Sequence, residues 1–122
     1  MFNELSTWLD GALSQDIPDG AAAFCFNLYD DGDDNWSLEL VATERFDPAD
    51  ADWPCEELDD FGTRDEPFAW NEAAEPNAIY EEINDLLARY LEEGSKADVL
   101  TSLSGVGLGF VDGDLGIIYI SK

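Results

Sequence analysis

Asp112-Gly113 is a two-residue turn signal with apolar residues on both sides, Gly105 to Val111 before it and Leu115 to Ile120 after it. Such a pair favours a tight β-hairpin, and little else suits so short a stretch. Pairing outward predicts Val111 opposite Asp114, Phe110 opposite Leu115, Leu108 opposite Ile117 and Val106 opposite Tyr119. The other face then pairs Gly109 with Gly116, Gly107 with Ile118 and Gly105 with Ile120. Alternate glycines leave that face nearly bare, so a helix or another backbone is expected to approach it closely, the 77–93 helix first. The glycines lead into a hairpin rather than a helix, which excludes a dinucleotide-binding loop.

A second hairpin is predicted over about 21–43. A three-residue loop, Asp30-Asp31-Gly32, puts glycine where a left-handed residue is needed. Phe26 then faces Trp36, Phe24 faces Leu38 and Ala22 faces Leu40, so the apolar sets meet on one face. A two-residue Asp31-Gly32 loop would set Phe24 against Glu39 and is rejected.

Two helices complete the frame. Phe2, Leu5, Leu9 and Ala12/Leu13 step by three and four, predicting a helix over 2–13. Ile79, Ile83, Leu86, Leu87, Tyr90 and Leu91 form a longer stripe over 77–93, with Pro76 and Asn77 at its start and Gly94 as C-terminal cap. A brief helical segment is expected near Lys96 to Leu103. Residues 44–77 hold four prolines and irregularly spaced aromatics, which indicates an ordered excursion with a short strand near 55–61. The whole chain, 122 residues, is expected to be a single α+β domain: a mainly antiparallel sheet of two hairpins packed against helices.

Charge governs the functional reading. The chain carries 29 Asp+Glu, 5 Lys+Arg and no His, for a formal net charge of −24. Without His, Ser-His-Asp and Cys-His nucleophiles and imidazole-based zinc sites are excluded. Direct binding to nucleic-acid phosphates and to anionic membranes is disfavoured. Residues 1–15 have no basic leader, and no stretch reaches the roughly 20 apolar residues of a membrane span, so a cytoplasmic protein is expected, with Cys25 and Cys55 as reduced thiols. Cys25 is read as a small core residue of a strand.

The acids are crowded. Asp30, Asp31, Asp33 and Asp34 share one hairpin tip, and nine acids lie in residues 47–66, answered only by Arg64. Spread evenly over a fold of this mass, 24 charges would sit about 16 Å apart, beyond the ~8 Å screening length. Crowding brings them inside that length, where a cation or basic partner relieves the repulsion. A dedicated calcium loop is a poor fit: Asp31, Asp33 and Asn35 mimic its first ligands, but Trp36 and Ala42 replace the required Gly and Glu. Pairs of acids suited to catalysis are inevitable among 29, and no nucleophile motif accompanies them. No catalytic residue, metal or cofactor is therefore assigned, and the chain is read as non-enzymatic. The remaining candidate is a basic protein partner, met by Asp50, Asp52, Glu56, Glu57, Asp59 and Asp60 around Trp53 and Phe61, with the Asp30, Asp31, Asp33 and Asp34 tip second. Trp53 suits a core contact as well as an anchor.

Three stretches, Phe24 to Gly32, Asp52 to Arg64 and Gly109 to Leu115, resemble small acidic bacterial immunity proteins of polymorphic-toxin and contact-dependent inhibition systems. The resemblance covers about a third of the chain and carries over no functional residue. It implies a cytosolic inhibitor that binds a basic toxin C-terminal domain, often a nuclease. The alternatives are a DNA mimic or regulatory protein that binds a nucleic-acid-binding protein, and a generic acidic domain of halophile type, which would spread acid over every exposed face. The oligomeric state is left open.

Overall fold

A computed structural model describes residues 1–47, 49, 57–63, 66–111 and 115–120, without the side chains of Asp59 and Asp60. Helix α1 spans Phe2–Ala12. Strands β1 (Ala23–Gly32) and β2 (Asn35–Thr43) form the first hairpin, followed by β3 (Glu57–Gly62) and β4 (Phe68–Asn71). Helix α2 (Pro76–Glu93) and a single turn α3 (Ala97–Leu100) lead into β5 (Gly105–Phe110) and β6 (Leu115–Ile120). The fold is α+β, and the described strands form one mostly antiparallel sheet.

The sheet runs β3-β2-β1-β5-β6, and β4 also pairs with β2, beyond the end that β3 occupies. The two hairpins meet through a parallel β1–β5 pair, Phe24 beside Val106 and Phe26 beside Leu108. Both helices cover one face. There Leu5 and Leu9 of α1 and Ile79, Ile83, Leu87 and Tyr90 of α2 enclose Phe24, Phe26, Leu28, Leu38, Leu40, Val106 and Leu108. Each large apolar side chain buried in this way contributes about 1.5–3 kcal/mol. The helical stripes predicted from steps of three and four are the stripes that face the sheet.

The first hairpin corrects the expected register by four residues. Phe26 faces Leu40, Phe24 faces Ala42 and Leu28 faces Leu38. The apolar face is unchanged, because a shift of four preserves the alternation of a strand. The turn is not Asp30-Asp31-Gly32 but Asp33-Asp34, with φ of 54° and 63°. Positive φ at both central residues is the type I′ requirement, and the twist of that turn matches the strands. Asp31 is the extra residue of a bulge between Asp30 and Gly32.

The second hairpin starts as expected, with Gly105 opposite Ile120 and Val106 opposite Tyr119. An irregularity then shifts the pairing by one, to Gly107–Ile117, Leu108–Gly116 and Gly109–Leu115. This corrects the expected glycine face. The helices pack on Val106 and Leu108, while the ring of Phe46 covers Gly105 on the opposite face. The shift moves Gly116 to the helix side, where Tyr80 of α2 donates its hydroxyl to the Leu108 carbonyl at 3.3 Å. Gly94 caps α2 as expected, yet in an extended rather than left-handed conformation. The ring of buried Tyr90 occupies the space that a Cβ at Gly94 would need. Tyr90 donates to Asp10 Oδ1 at 2.7 Å and accepts from Lys96 N at 3.1 Å, tying α1 to the end of α2. Burial, then the Asp10 carboxylate, hold its hydroxyl well above the usual phenol range.

The expected strand near 55–61 is present as Glu57–Gly62. Strand β4 had no expectation; it places Trp70 opposite Trp36 and Phe68 opposite Leu38. Cys25 is buried among Ala23 and Val41, as read from the sequence. Cys55 lies outside the described residues. Among the described residues no helix is long and apolar enough to cross a membrane.

Candidate functional site

The tip of the first hairpin carries four exposed acids, Asp30, Asp31, Asp33 and Asp34, within five residues. Asp30 Oδ1 accepts from Gly32 N at 3.1 Å, which fixes the bulge. Asp33 and Asp34 occupy left-handed positions that Asn-Gly fills more easily. For an L-residue that conformation costs on the order of 1 kcal/mol each, less for Asp than for most. Four like charges on so short a turn add repulsion inside the screening length.

Strand β4 holds this tip in place. Glu72 N donates to Asp34 O at 2.8 Å, and Asn71 Nδ2 donates to Asp33 O at 3.4 Å and to Asn35 Oδ1 at 3.1 Å. Glu72 is the junction of the site. Its carbonyl accepts from the Trp36 indole at 2.9 Å, and its carboxylate accepts from the Trp70 indole at 3.1 Å. Burial first, then hydrogen bonding to the neighbouring Glu72 carboxyl group and its negative charge, push Glu82 of α2 up to about 7.

From Glu72 a partly exposed aromatic strip runs across β4 to α1. The rings of Trp70 and Phe68 lie 5.5 Å apart and those of Phe68 and Trp8 5.8 Å apart. Trp8 is anchored at its far end, its indole donating to Glu66 O at 2.8 Å. Beside it a cleft of about 670 Å³ opens between α1 and β3, bordered by Trp8, Gln15, Glu57, Phe61, Thr63 and Glu66. Gln15 bridges the cleft, its amide donating to Gly62 O at 3.1 Å. Acidic tip, aromatic strip and acid-edged cleft form a connected surface.

The sequence-predicted residues divide. Asp30, Asp31, Asp33 and Asp34 are exposed together at the tip, and Glu57 is exposed at the start of β3. Phe61 is a correction: it is 4% exposed and packs on Phe24 at 5.5 Å between ring centres, so it belongs to the core. Asp59 and Asp60 lie on β3, their side chains outside the described residues, as are Asp50, Asp52, Trp53 and Glu56 altogether. Trp8, Phe68, Trp70, Glu66 and Glu72 were missed. The only local signal was Phe68-Ala69-Trp70, an alternation two residues apart, and its meeting with Trp8 depends on contacts across some 60 positions.

Few cations answer these acids. Arg89 binds Glu93 at 3.0 Å and lies 4.0 Å over the Phe2 ring, and Arg45 lies 3.8 Å from Asp47. Among the described residues no group of three His, Cys, Asp or Glu is placed to hold a metal. Buried Glu39 is committed to the sheet, accepting from Asn27 Nδ2 at 3.0 Å and from the Tyr29 hydroxyl at 2.9 Å. No protein-family model matches the chain, and neither a curated protein nor a solved structure matches it.

Proposed function

We propose that this chain is a non-enzymatic inhibitor of a basic protein domain, an immunity protein for a cognate toxin domain, and that the acidic hairpin tip steers the encounter. The supporting observation is the pair Asp33-Asp34. A turn that Asn-Gly would form with less strain instead holds two carboxylates in left-handed positions beside two more. Strain retained at an exposed tip points to a role that the uncomplexed fold does not require. A cationic partner surface relieves the repulsion, and the neighbouring Trp70, Phe68 and Trp8 supply the aromatic contact area on which affinity depends. Glu57 and Glu66 at the cleft extend the negative surface toward α1.

Strand β6 keeps partial exposure and carries no charged residue, which supports this reading over acid spread on every exposed face.

The test uses the double variant Asp33→Asn with Asp34→Gly, which removes two charges without weakening the turn. The partner is sought in the adjacent reading frame, and association of the variant with a basic domain found there is followed by stopped-flow fluorescence at several salt concentrations. The expected result is association about tenfold slower at low salt, with a shallower salt dependence. Association and protection equal to those of the parent would remove the tip from the site. Competition with duplex DNA for a nucleic-acid-binding protein would instead favour the DNA-mimic reading.

A further inference from the structure

We infer that β6 is a self-association edge, through which two copies pair antiparallel and continue one sheet into the other. Among the described strands β6 ends the strand order and pairs only with β5. Its sequence, Leu-Gly-Ile-Ile-Tyr-Ile, contains neither charge nor proline, two of the devices that guard an exposed edge. All six residues keep some exposure, Ile120 as much as 49%. Ile118 and Tyr119 pack on the main core, but among the described residues Ile117 and Ile120 belong to neither buried cluster. They lie opposite Gly107 and Gly105 and present apolar surface on the face away from the helices. The irregularity in the β5–β6 pairing twists this edge but adds no charge to it.

Charge identifies the occupant. The run Val99 to Val111 and the whole of β6 are free of charged residues in a chain of net −24. A basic partner gains nothing from a neutral edge, whereas a second copy meets no carboxylate along these six residues. Neighbouring strands are about 4.8 Å apart, so pairing through β6 leaves seven spacings, about 34 Å, between the two β2 strands. That is several screening lengths. Pairing through β4 at the opposite edge would leave only three spacings, about 14 Å, and would bring Glu72 and the acidic tips of both copies together. Antiparallel self-pairing also satisfies the outward N–H and C=O groups of both edges with one two-fold axis. A six-residue edge is about 20 Å long, and an interface of that size is small, so the dimer is reversible.

The experiment is sedimentation velocity on the full chain from about 5 to 500 μM, at low salt and in about 0.5 M salt. The expected result is a mass rising from 13.5 kDa toward twice that value, at lower concentration when salt screens the remaining repulsion. Ile117→Lys and Ile120→Lys should each weaken dimerisation at least tenfold, while Asp33→Asn with Asp34→Gly leaves it intact. Ile120→Lys decides the matter if Ile117→Lys fails to fold, because its side chain is half exposed and outside the core. Hydrogen exchange at β6 amides should slow as concentration rises. A monomer throughout the range at both salts overturns the inference, as does a dimer that neither lysine weakens.

Discussion

The hairpins β1–β2 and β5–β6 belong to one sheet and touch through a single parallel joint, yet they solve the same folding problem differently. In β1–β2 the strands are pinned by large alternating side chains, and the irregular chemistry is concentrated at the tip: a bulge at Asp31, then two aspartates at positive φ. In β5–β6 the first strand alternates glycine with apolar residues, the second carries one glycine, Gly116, and the irregularity lies within the ladder, where the pairing slips by one. The first hairpin spends backbone strain on charge that the core does not use. The second uses missing side chains to let other groups approach, Phe46 at Gly105 and Tyr80 at Gly116. Strain at an exposed turn and tight packing within a strand should therefore respond oppositely to mutation.

The largest effect is expected at Gly105→Ala. A Cβ there would lie 2.3 Å from the Phe46 ring, and the glycine is buried, so the ring or the strand must move. Overpacking of this kind costs about 1–3 kcal/mol, read as a lower urea midpoint with an unchanged slope. A neutral result would mean that Phe46 moves aside easily, and the contrast between the hairpins would weaken. At the other hairpin, Asp33→Asn with Asp34→Gly should stabilise the chain by about 1 kcal/mol, through relief of left-handed strain and of repulsion. The same variant is expected to associate more slowly with a basic partner. Stability and binding moving in opposite directions is the signature that separates a functional tip from an ordinary turn.

The reach of the sequence follows the same division. Which residues face the core was legible in α1, α2, β1 and β2, because alternation in strands and steps of three and four in helices are set by local geometry. It was not legible in β5, where the helices cover Val106 and Leu108 instead of the glycines, nor at Phe61, which is buried. Register was not: a four-residue slip keeps Phe24 and Phe26 on the same face, and only the turn decides between the two pairings. The turn was misread because Gly32, left-handed as expected, belongs to the bulge, and the turn itself is formed by two aspartates that also take positive φ. The parallel β1–β5 joint leaves no local trace, since it depends on how the two hairpins dock. The tip acids were legible as a cluster. The aromatic strip was not, because Trp8 meets Phe68 only after α1 and β4 pack together.

The smallest effect concerns the junction behind the tip, where Glu72 carries Trp70 on one side and Glu82 on the other. Burial and the shared bond to Glu72 raise Glu82 from an ordinary 4.5 to about 7. The folded chain therefore holds this proton over a range in which the unfolded chain has released it. Stability linked to Glu82 is fully present below pH 4.5, declines as pH rises and is lost above about 7. Glu82→Gln keeps an amide donor for Glu72 but cannot ionise, so its urea midpoint should fall less between pH 5 and 8 than that of the parent. The side chain is partly exposed, so the difference is small and appears as a slope rather than a loss of fold. Trp70 fluorescence, recorded across the same range, should shift near pH 7 in the parent only, because its indole donates to the carboxylate that Glu82 engages. Parallel pH profiles for parent and variant would place the proton elsewhere and would free the tip and the aromatic strip from any coupling through Glu72.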